Sequence, residues 1–247
     1  MKRIILAAAL SLTAGFAQAF DLSAMTDAER DAFRAEVRAY LLDNPEVLME
    51  AIGVLEERQA VAEAANDQNL ARAFENELTN DGYSYVGGNP DGDITIVEFM
   101  DYRCGYCKRA FPEVEAMVNH DGNIRVVVKE YPILGEQSVL AARFAIAVKQ
   151  TSGDEAYKLV HDTLMNMRGA ITETALEQLA RTAGLSVQDV FSQMNSDAVT
   201  EVLRRNAELG ARMQISGTPT FVVEDEMVRG YVPQSQLAAI IAEQRAD

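Results

Sequence analysis

The spacing of apolar positions changes along the 247-residue chain, and the changes divide it into parts. Thr26 to Glu29 has the T-x-x-E form of a capping box, in which a hydroxyl and a carboxylate satisfy backbone N–H groups reciprocally. It opens a helix expected to run to about Leu42. Asn44-Pro45 restarts the helix, Asn44 as cap and Pro45 at the first helical position, where a missing N–H is tolerated. From Pro45 to about Leu78 only Gly53 interrupts, which predicts one long helix or two joined end to end. Val47, Val54 and Val61 recur at a heptad spacing, with Leu48 and Leu55 beside them and small Ala51, Ala62 and Ala65 in the stripe. Such a seam suits self-association. A helix folded back on its own domain would use the same residues.

Beyond Asp81-Gly82 the pattern shortens to strand length. Tyr83–Val86 reads as a first strand, residues 87–93 as turn chemistry, and Ile94–Met100 as a strand apolar enough to lie centrally in a sheet. A helix follows Cys104 to about Asn119, with a kink expected at Pro112. Asp121-Gly122 then turns the chain into a strand at 123–132. Strand, crossover helix and strand make a βαβ unit. Helical patterns follow at 138–150, 153–167, 172–183, 186–194 and 196–209. A hairpin of Thr220–Val223 and Met227–Arg229 around Glu224-Asp225-Glu226 and a closing helix at 234–243 complete the chain. The expected organisation is α/β, in two halves of one sheet. It comprises a leader at 1–19, a helical arm at 20–80 able to oligomerise, a first α/β part at 81–137, an inserted helical domain at 138–210 and a second α/β part at 211–247.

The leader has Lys2 and Arg3, an apolar run from Ile4 to Phe16, and Ala17-Gln18-Ala19. This is the form of a secretory signal peptide cleaved after Ala19, with Phe20 as the mature start. The run is short for a membrane span, and no cysteine follows it to carry a lipid. Export implies an oxidising compartment where disulfides persist. The chain has a net charge of −16, which becomes −18 when Lys2 and Arg3 leave with the leader. That argues against nucleic acid and anionic lipid as partners. Two cysteines cannot staple a fold of this size, so an apolar core must hold it.

Those two cysteines are Cys104 and Cys107, separated by Gly105-Tyr106 at a strand-to-helix turn. A sulfur at a helix start meets free backbone N–H groups and the positive end of the helix dipole, and both favour a thiolate. Thiol–disulfide exchange needs this arrangement, one thiolate attacking and a neighbour resolving the mixed disulfide. Structural zinc would have to recruit His120 and His161, and the second follows the first by 41 residues rather than a finger's three to five. An inert structural disulfide is the other alternative. The flanking strand, turn and helix favour redox chemistry, with no dissociable cofactor and no resident metal. Glu98 lies inside the apolar strand, where a carboxylate is costly unless wet, paired or functional. Its face is not fixed by the pattern.

The stretches "TIVEFMDYRCGYCK" (95–108), "EYPILGEQSVLAARFA" (130–145) and "GTPTFVV" (217–223) resemble the DsbA-like thiol–disulfide oxidoreductases of the bacterial periplasm. With "NPEVLMEAI" (44–52), the chain is most similar to the Com1 and ScsC-like branch that carries an N-terminal helical extension. The resemblance implies a thioredoxin-like fold with an inserted all-helical domain and an N-terminal helical arm, and a periplasmic location. It implies that Cys104 is an exposed nucleophile and Cys107 its resolving partner, with Gly105 and Tyr106 tuning the potential. Thr218-Pro219 would be a cis-proline turn facing the cysteines, its backbone pairing with an extended substrate. Glu98 would relay the proton of Cys107. Lys108 could add positive charge near the site.

Members of this family act as dithiol oxidases or as disulfide isomerases, on exported proteins that contain cysteines. An oxidase is fed by a DsbB-like membrane oxidase, whereas an isomerase is kept reduced by a DsbD-like membrane reductase. Some ScsC-like relatives are trimers linked to copper tolerance. The arm, which could gather sites into a homo-oligomer, favours isomerase or reductase here. Dithiol oxidase and a Cu(I)-binding copper-tolerance protein are the alternatives.

Overall fold

The computed structural model describes residues 25–246, so the expected leader and its cleavage after Ala19 lie outside the described residues. The residues up to Arg58 and those from Gln59 onward are two compact units. In the first, α1 spans Asp27–Asp43. Its capping box forms as the sequence predicts, with Thr26 N–H donating to Glu29 at 2.8 Å and Glu29 N–H to the Thr26 hydroxyl at 3.4 Å. No residue from 25 to 58 is buried. Phe33, Val37, Leu42, Leu48, Ile52 and Leu55 stand between 41% and 66% exposed. The stretch expected as one helix or two is a long α2, Glu46–Ala73, and a short α3, Glu75–Thr79.

In the second unit β1 (Tyr85–Gly88), β2 (Ile94–Met100), β3 (Ile124–Glu130), β4 (Thr220–Val223) and β5 (Glu226–Arg229) form one sheet in the order β1-β3-β2-β4-β5. β2 and β3 run parallel across α4 (Gly105–Asp121), giving the expected βαβ unit, and the other pairings are antiparallel. Pro112 lies inside α4, which continues beyond it. Two boundaries differ from the sequence expectation. β1 starts later than Tyr83, because the Asp81 carboxylate takes the N–H groups of Tyr83 and Ser84, both at 2.9 Å, and holds them in a turn. The β4–β5 turn is tighter, since Glu226 pairs with Val223 and Glu224 takes a left-handed φ of 53°.

Side chains alternate across a strand, so Ile94, Ile96, Glu98 and Met100 share one face of β2, and Val97 and Phe99 the other. Ile94 and Ile96 pack with Val114, Met117 and Val118 of α4 and with Leu237, Ile240 and Ile241 of α9 (Gln234–Gln244). Val97 and Phe99 pack with Leu78 and with Leu209, Met213 and Ile215. Each fully buried side chain of this kind contributes roughly 1.5–3 kcal/mol. Burial on both faces explains why β2 reads as a continuous apolar run without alternation.

Between β3 and β4 come α5 (Glu136–Asn166), α6 (Glu173–Thr182), α7 (Val187–Met194) and α8 (Asp197–Arg212). Thr172, Ser186 and Ser196 cap the last three by accepting a backbone N–H. The helices expected at 138–150 and 153–167 are two segments of α5 that meet at Gly153, whose φ of 84° suits only glycine. This helical insert joins the sheet at two points that touch each other. Tyr131, just past β3, donates its hydroxyl to the Ile215 carbonyl at 3.0 Å. Gly210 of α8 lies against the Tyr131 ring so closely that an added Cβ would stand 2.5 Å from it.

Candidate functional site

Met100 ends β2, and the chain turns through Asp101, Tyr102 and Arg103 into α4. Asp101 organises this turn. Its buried carboxylate accepts from Arg103 N–H at 2.7 Å and from the N–H groups of Ile133 and Leu134 at 2.9 and 3.0 Å, and its carbonyl accepts from Cys104 N–H at 3.0 Å. Cys104 therefore becomes the N-cap of α4, with extended φ and ψ, and its Sγ receives the Cys107 N–H at 3.4 Å. The Thr218–Pro219 peptide is cis and sits across the cysteine pair. As a thiol, Cys104 donates to the Thr218 carbonyl at 3.1 Å. That turn covers the sulfur, so Cys104 is only 6% exposed, not the exposed group the sequence suggested. Cys107 is fully buried, Gly105 and Tyr106 face solvent, and both cysteines are free thiols.

The two sulfurs are electrostatically unlike. The Cys104 thiol is pulled down to about 5, first by the Cys107 S–H, then by the Thr218 side chain and the backbone N–H groups of Cys107 and Tyr106, against a desolvation that opposes ionisation. The Thr218 hydroxyl is buried and has no hydrogen-bond partner within normal geometry, which leaves it available to an anionic sulfur. Cys107 is driven upward by donating to Cys104, by burial and by the charge of Glu98.

Glu98 lies on the β2 face covered by α4, the helix that carries Cys107. It is buried, its Oε1 meets no donor, and burial with the nearby charges of Glu115 and Cys104 raises it to about 8. Glu98 thus faces inward, where the sequence pattern left its face open. Lys108 is half-buried rather than free in solvent, and it donates to the Met167 carbonyl.

One buried group had no motif to announce it. Glu130, at the end of β3, accepts from the hydroxyls of Tyr102 and Tyr157, each at 2.7 Å, and Tyr102 also lies 2.9 Å from His161 Nδ1. Burial lifts Glu130 to about 8 and holds His161 down near 3. The signal available was a second carboxylate closing an apolar strand, as Glu98 interrupts the first. His120 lies at the other end of α4 from the cysteines, and no group of three or more metal-binding side chains exists among the described residues. Thr218, Pro219, Cys104, Cys107 and Glu98 are thus brought to one place, and His120 is not.

Comparison with known proteins agrees with this geometry. Residues 95–242 match the family described as DSBA-like thioredoxin domain, and residues 29–62 match the family described as copper resistance protein ScsC N-terminal domain. A thioredoxin-like oxidoreductase from Silicibacter pomeroyi is 42% identical in sequence, with a TM-score of 0.65 over 70% of this chain and 98% of that one. Proteus mirabilis ScsC in a transitional conformation is 30% identical, with a TM-score of 0.66 over 91% of this chain and 98% of that one. A Na(+)/H(+) antiporter NhaA from Herminiimonas arsenicoxydans is 26% identical across 65% of this chain, and the match spans only 25% of that protein's length. The fold and the cysteine pair are those of a disulfide oxidoreductase, and the chain belongs to the DSBA-like thioredoxin-domain family, with an ScsC-type segment ahead of it.

Proposed function

We propose that this protein is a periplasmic thiol–disulfide oxidoreductase that reduces and isomerises disulfides of exported proteins through Cys104 and Cys107. The observation that carries the reading is the inequality of the two sulfurs, one favoured as thiolate at neutral pH and the other buried and held as thiol. The Cys104 thiolate attacks a substrate disulfide. A sulfur–sulfur bond forms to Cys104, the substrate bond breaks, and one substrate thiolate leaves. In isomerisation another substrate thiolate attacks the mixed disulfide and regenerates Cys104. In reduction Cys107 attacks Cys104, and its proton has to leave first. Glu98, buried beneath α4 and poised near neutrality, is the acceptor we assign. Thr218 and Pro219 hold the substrate backbone against the pair, and Gly105 and Tyr106 set how strongly the thiolate is favoured.

The preference for isomerase over dithiol oxidase rests on the arm. Phe33, Val37, Leu41, Leu42 and Leu48 line an open apolar groove in a unit whose described residues include none that is buried, and a second copy of the chain is the occupant we assign to it. Grouped sites would hold a misfolded substrate through repeated attacks, with a DsbD-like membrane reductase keeping them reduced. Copper fits the residues less well. Cu(I) favours paired thiolates, whereas Cys107 is held as a thiol and no third ligand joins the pair among the described residues. The test is reactivation of scrambled ribonuclease by the mature protein, with its solution mass measured alongside. Reactivation by an oligomer, lost when residues 20–58 are removed, supports the reading. Rapid oxidation of reduced ribonuclease without any reactivation would assign a dithiol oxidase instead.

A further inference from the structure

Although acidic residues outnumber basic ones by 38 to 22, the segment from Arg103 to Arg109 holds three cations and no acid. Several cations elsewhere in the chain are neutralised. Arg204, Arg212, Arg229 and Arg245 each pair with a carboxylate. Arg103, Lys108 and Arg109 hold no ion pair among the described residues. Arg103 donates to the Gly169 carbonyl at 2.8 Å, and Lys108 to the Met167 carbonyl. Both partners are neutral, so the charges stay uncompensated, and between those two carbonyls lies Arg168. Arg168 is exposed and makes no hydrogen bond or ion pair among the described residues. On the other side of the pair, the Arg109 guanidinium lies 4.4 Å from the centre of the Tyr231 ring, which stacks on Tyr106 at 6.2 Å. Of the acids further along α4, Glu115 pairs with Lys158, whereas Glu113 accepts only from the neutral Tyr231 hydroxyl and Gln234 N–H and keeps its charge on the Arg109 side of the cluster. Asp101 is buried among backbone donors, and Glu98 lies beneath the helix.

We propose that Arg103, Lys108, Arg109 and Arg168 form a cationic collar around Cys104 that selects polypeptide disulfides whose cysteines are flanked by aspartate or glutamate. The inference rests on the reading of Cys104 as the attacking sulfur and names the substrates it prefers. At an ionic strength of about 0.1 M charges are screened beyond about 10 Å, so the collar outweighs the acidic remainder of the chain for a segment docked at the site. One contact of opposite sign at the surface is worth a factor of about three, and reversing the sign of the flank squares it, to about tenfold.

The experiment offers the reduced protein three symmetrical peptide disulfides of equal length, with the cysteine flanked by Asp, Ser or Lys. The protein dithiol becomes the Cys104–Cys107 disulfide while two peptide thiols are released, so the electrons balance. At about 0.1 M salt the Asp peptide should react about tenfold faster than the Lys peptide, and at about 1 M the difference should fall below about twofold. Arg168→Glu should reduce the preference of Asp over Lys to about threefold or less, with the Ser peptide as the common reference. Arg168→Ser, with half the charge change, should fall between that variant and the wild type. Equal rates for Asp and Lys peptides at 0.1 M, or a preference that survives 1 M salt, would overturn the collar while leaving the exchange chemistry standing. No reaction with any of the three would overturn the reading of the site itself, and the collar with it.

Discussion

Replacing Glu98 with leucine is expected to stabilise the protein while slowing its turnover. In the unfolded chain this carboxyl ionises near 4.5, whereas burial in the fold holds it up to about 8. A group with a raised folded value binds its proton more tightly when folded. Its stabilising contribution is complete below pH 4.5 and is lost progressively as the pH climbs towards 8. At about 1.4 kcal/mol per pH unit, holding the folded carboxyl protonated while the unfolded one ionises costs about 3 kcal/mol by pH 7. Leucine has a similar volume and no charge to desolvate, and of the two oxygens it removes, Oε1 has no hydrogen bond to lose. Urea titration of the reduced proteins should give the variant about 2–3 kcal/mol at pH 7, narrowing to under about 1 kcal/mol at pH 4.5. Resolution of a trapped mixed disulfide by Cys107 should slow at least about tenfold, for want of a proton acceptor. A variant no more stable than the wild type at pH 7, or a gain of equal size at both pH values, would refute the argument that burial governs the charge of Glu98.

Further expectations follow from the cysteine pair, the insert's seam and the turn before α4. Alkylation of reduced protein by iodoacetamide should rise with an inflection near pH 5, reporting Cys104, while Cys107 stays unmodified at neutral pH. Because the folded value of Cys104 is depressed, its stabilising effect on the reduced protein is complete above the ordinary thiol range and fades as the pH falls towards 5; comparison with Cys104→Ser across that window measures it. Gly210→Ala sets helix propensity, worth roughly 0.5–1 kcal/mol in favour of alanine, against a Cβ 2.5 Å from the Tyr131 ring. Overpacking and a weakened Tyr131–Ile215 hydrogen bond should win by about 1–3 kcal/mol in a denaturant titration. Asp101→Asn keeps the shape of the turn but points an amide NH2 at backbone donors, and should lower stability by about 1–3 kcal/mol and slow exchange measurably.

The architecture was legible where local chemistry and burial agreed. The capping box at Thr26, the serine and threonine caps of the insert and the unbroken apolar run of β2 each describe a single physical requirement, and each is met. The cysteine pair was legible because its spacing and its strand-to-helix setting carry the chemistry together. The face of Glu98 was not legible, since β2 is apolar on both sides and alternation gives no clue. Nor was the burial of Cys104, which depends on the Thr218 turn over a hundred residues away in sequence. Asp101, Glu130 and His161 are ordinary polar residues in the sequence. Their enclosure arises only when β3, α4 and α5 converge, and tertiary contacts of that kind leave no periodic trace.

The contact between Tyr131 and Ile215 has a consequence for how this chain can change. The 89 residues separating Glu130 from Thr220 leave the sheet and return to it at adjoining points. A loop of any length could close that gap, because each doubling costs only about 0.6 kcal/mol of closure entropy. The helical insert therefore behaves as a cassette. Its helices can lengthen, shorten or be exchanged for those of a relative without disturbing the order of the strands, provided the graft keeps Tyr131, Gly210 and Ile215 as its seam. It must also keep Ile133, Leu134, Tyr157, His161 and the Thr218–Pro219 turn, which the site draws from this segment. Diversification of what the protein grips can then proceed in the cassette while the sulfur chemistry beneath it stays fixed.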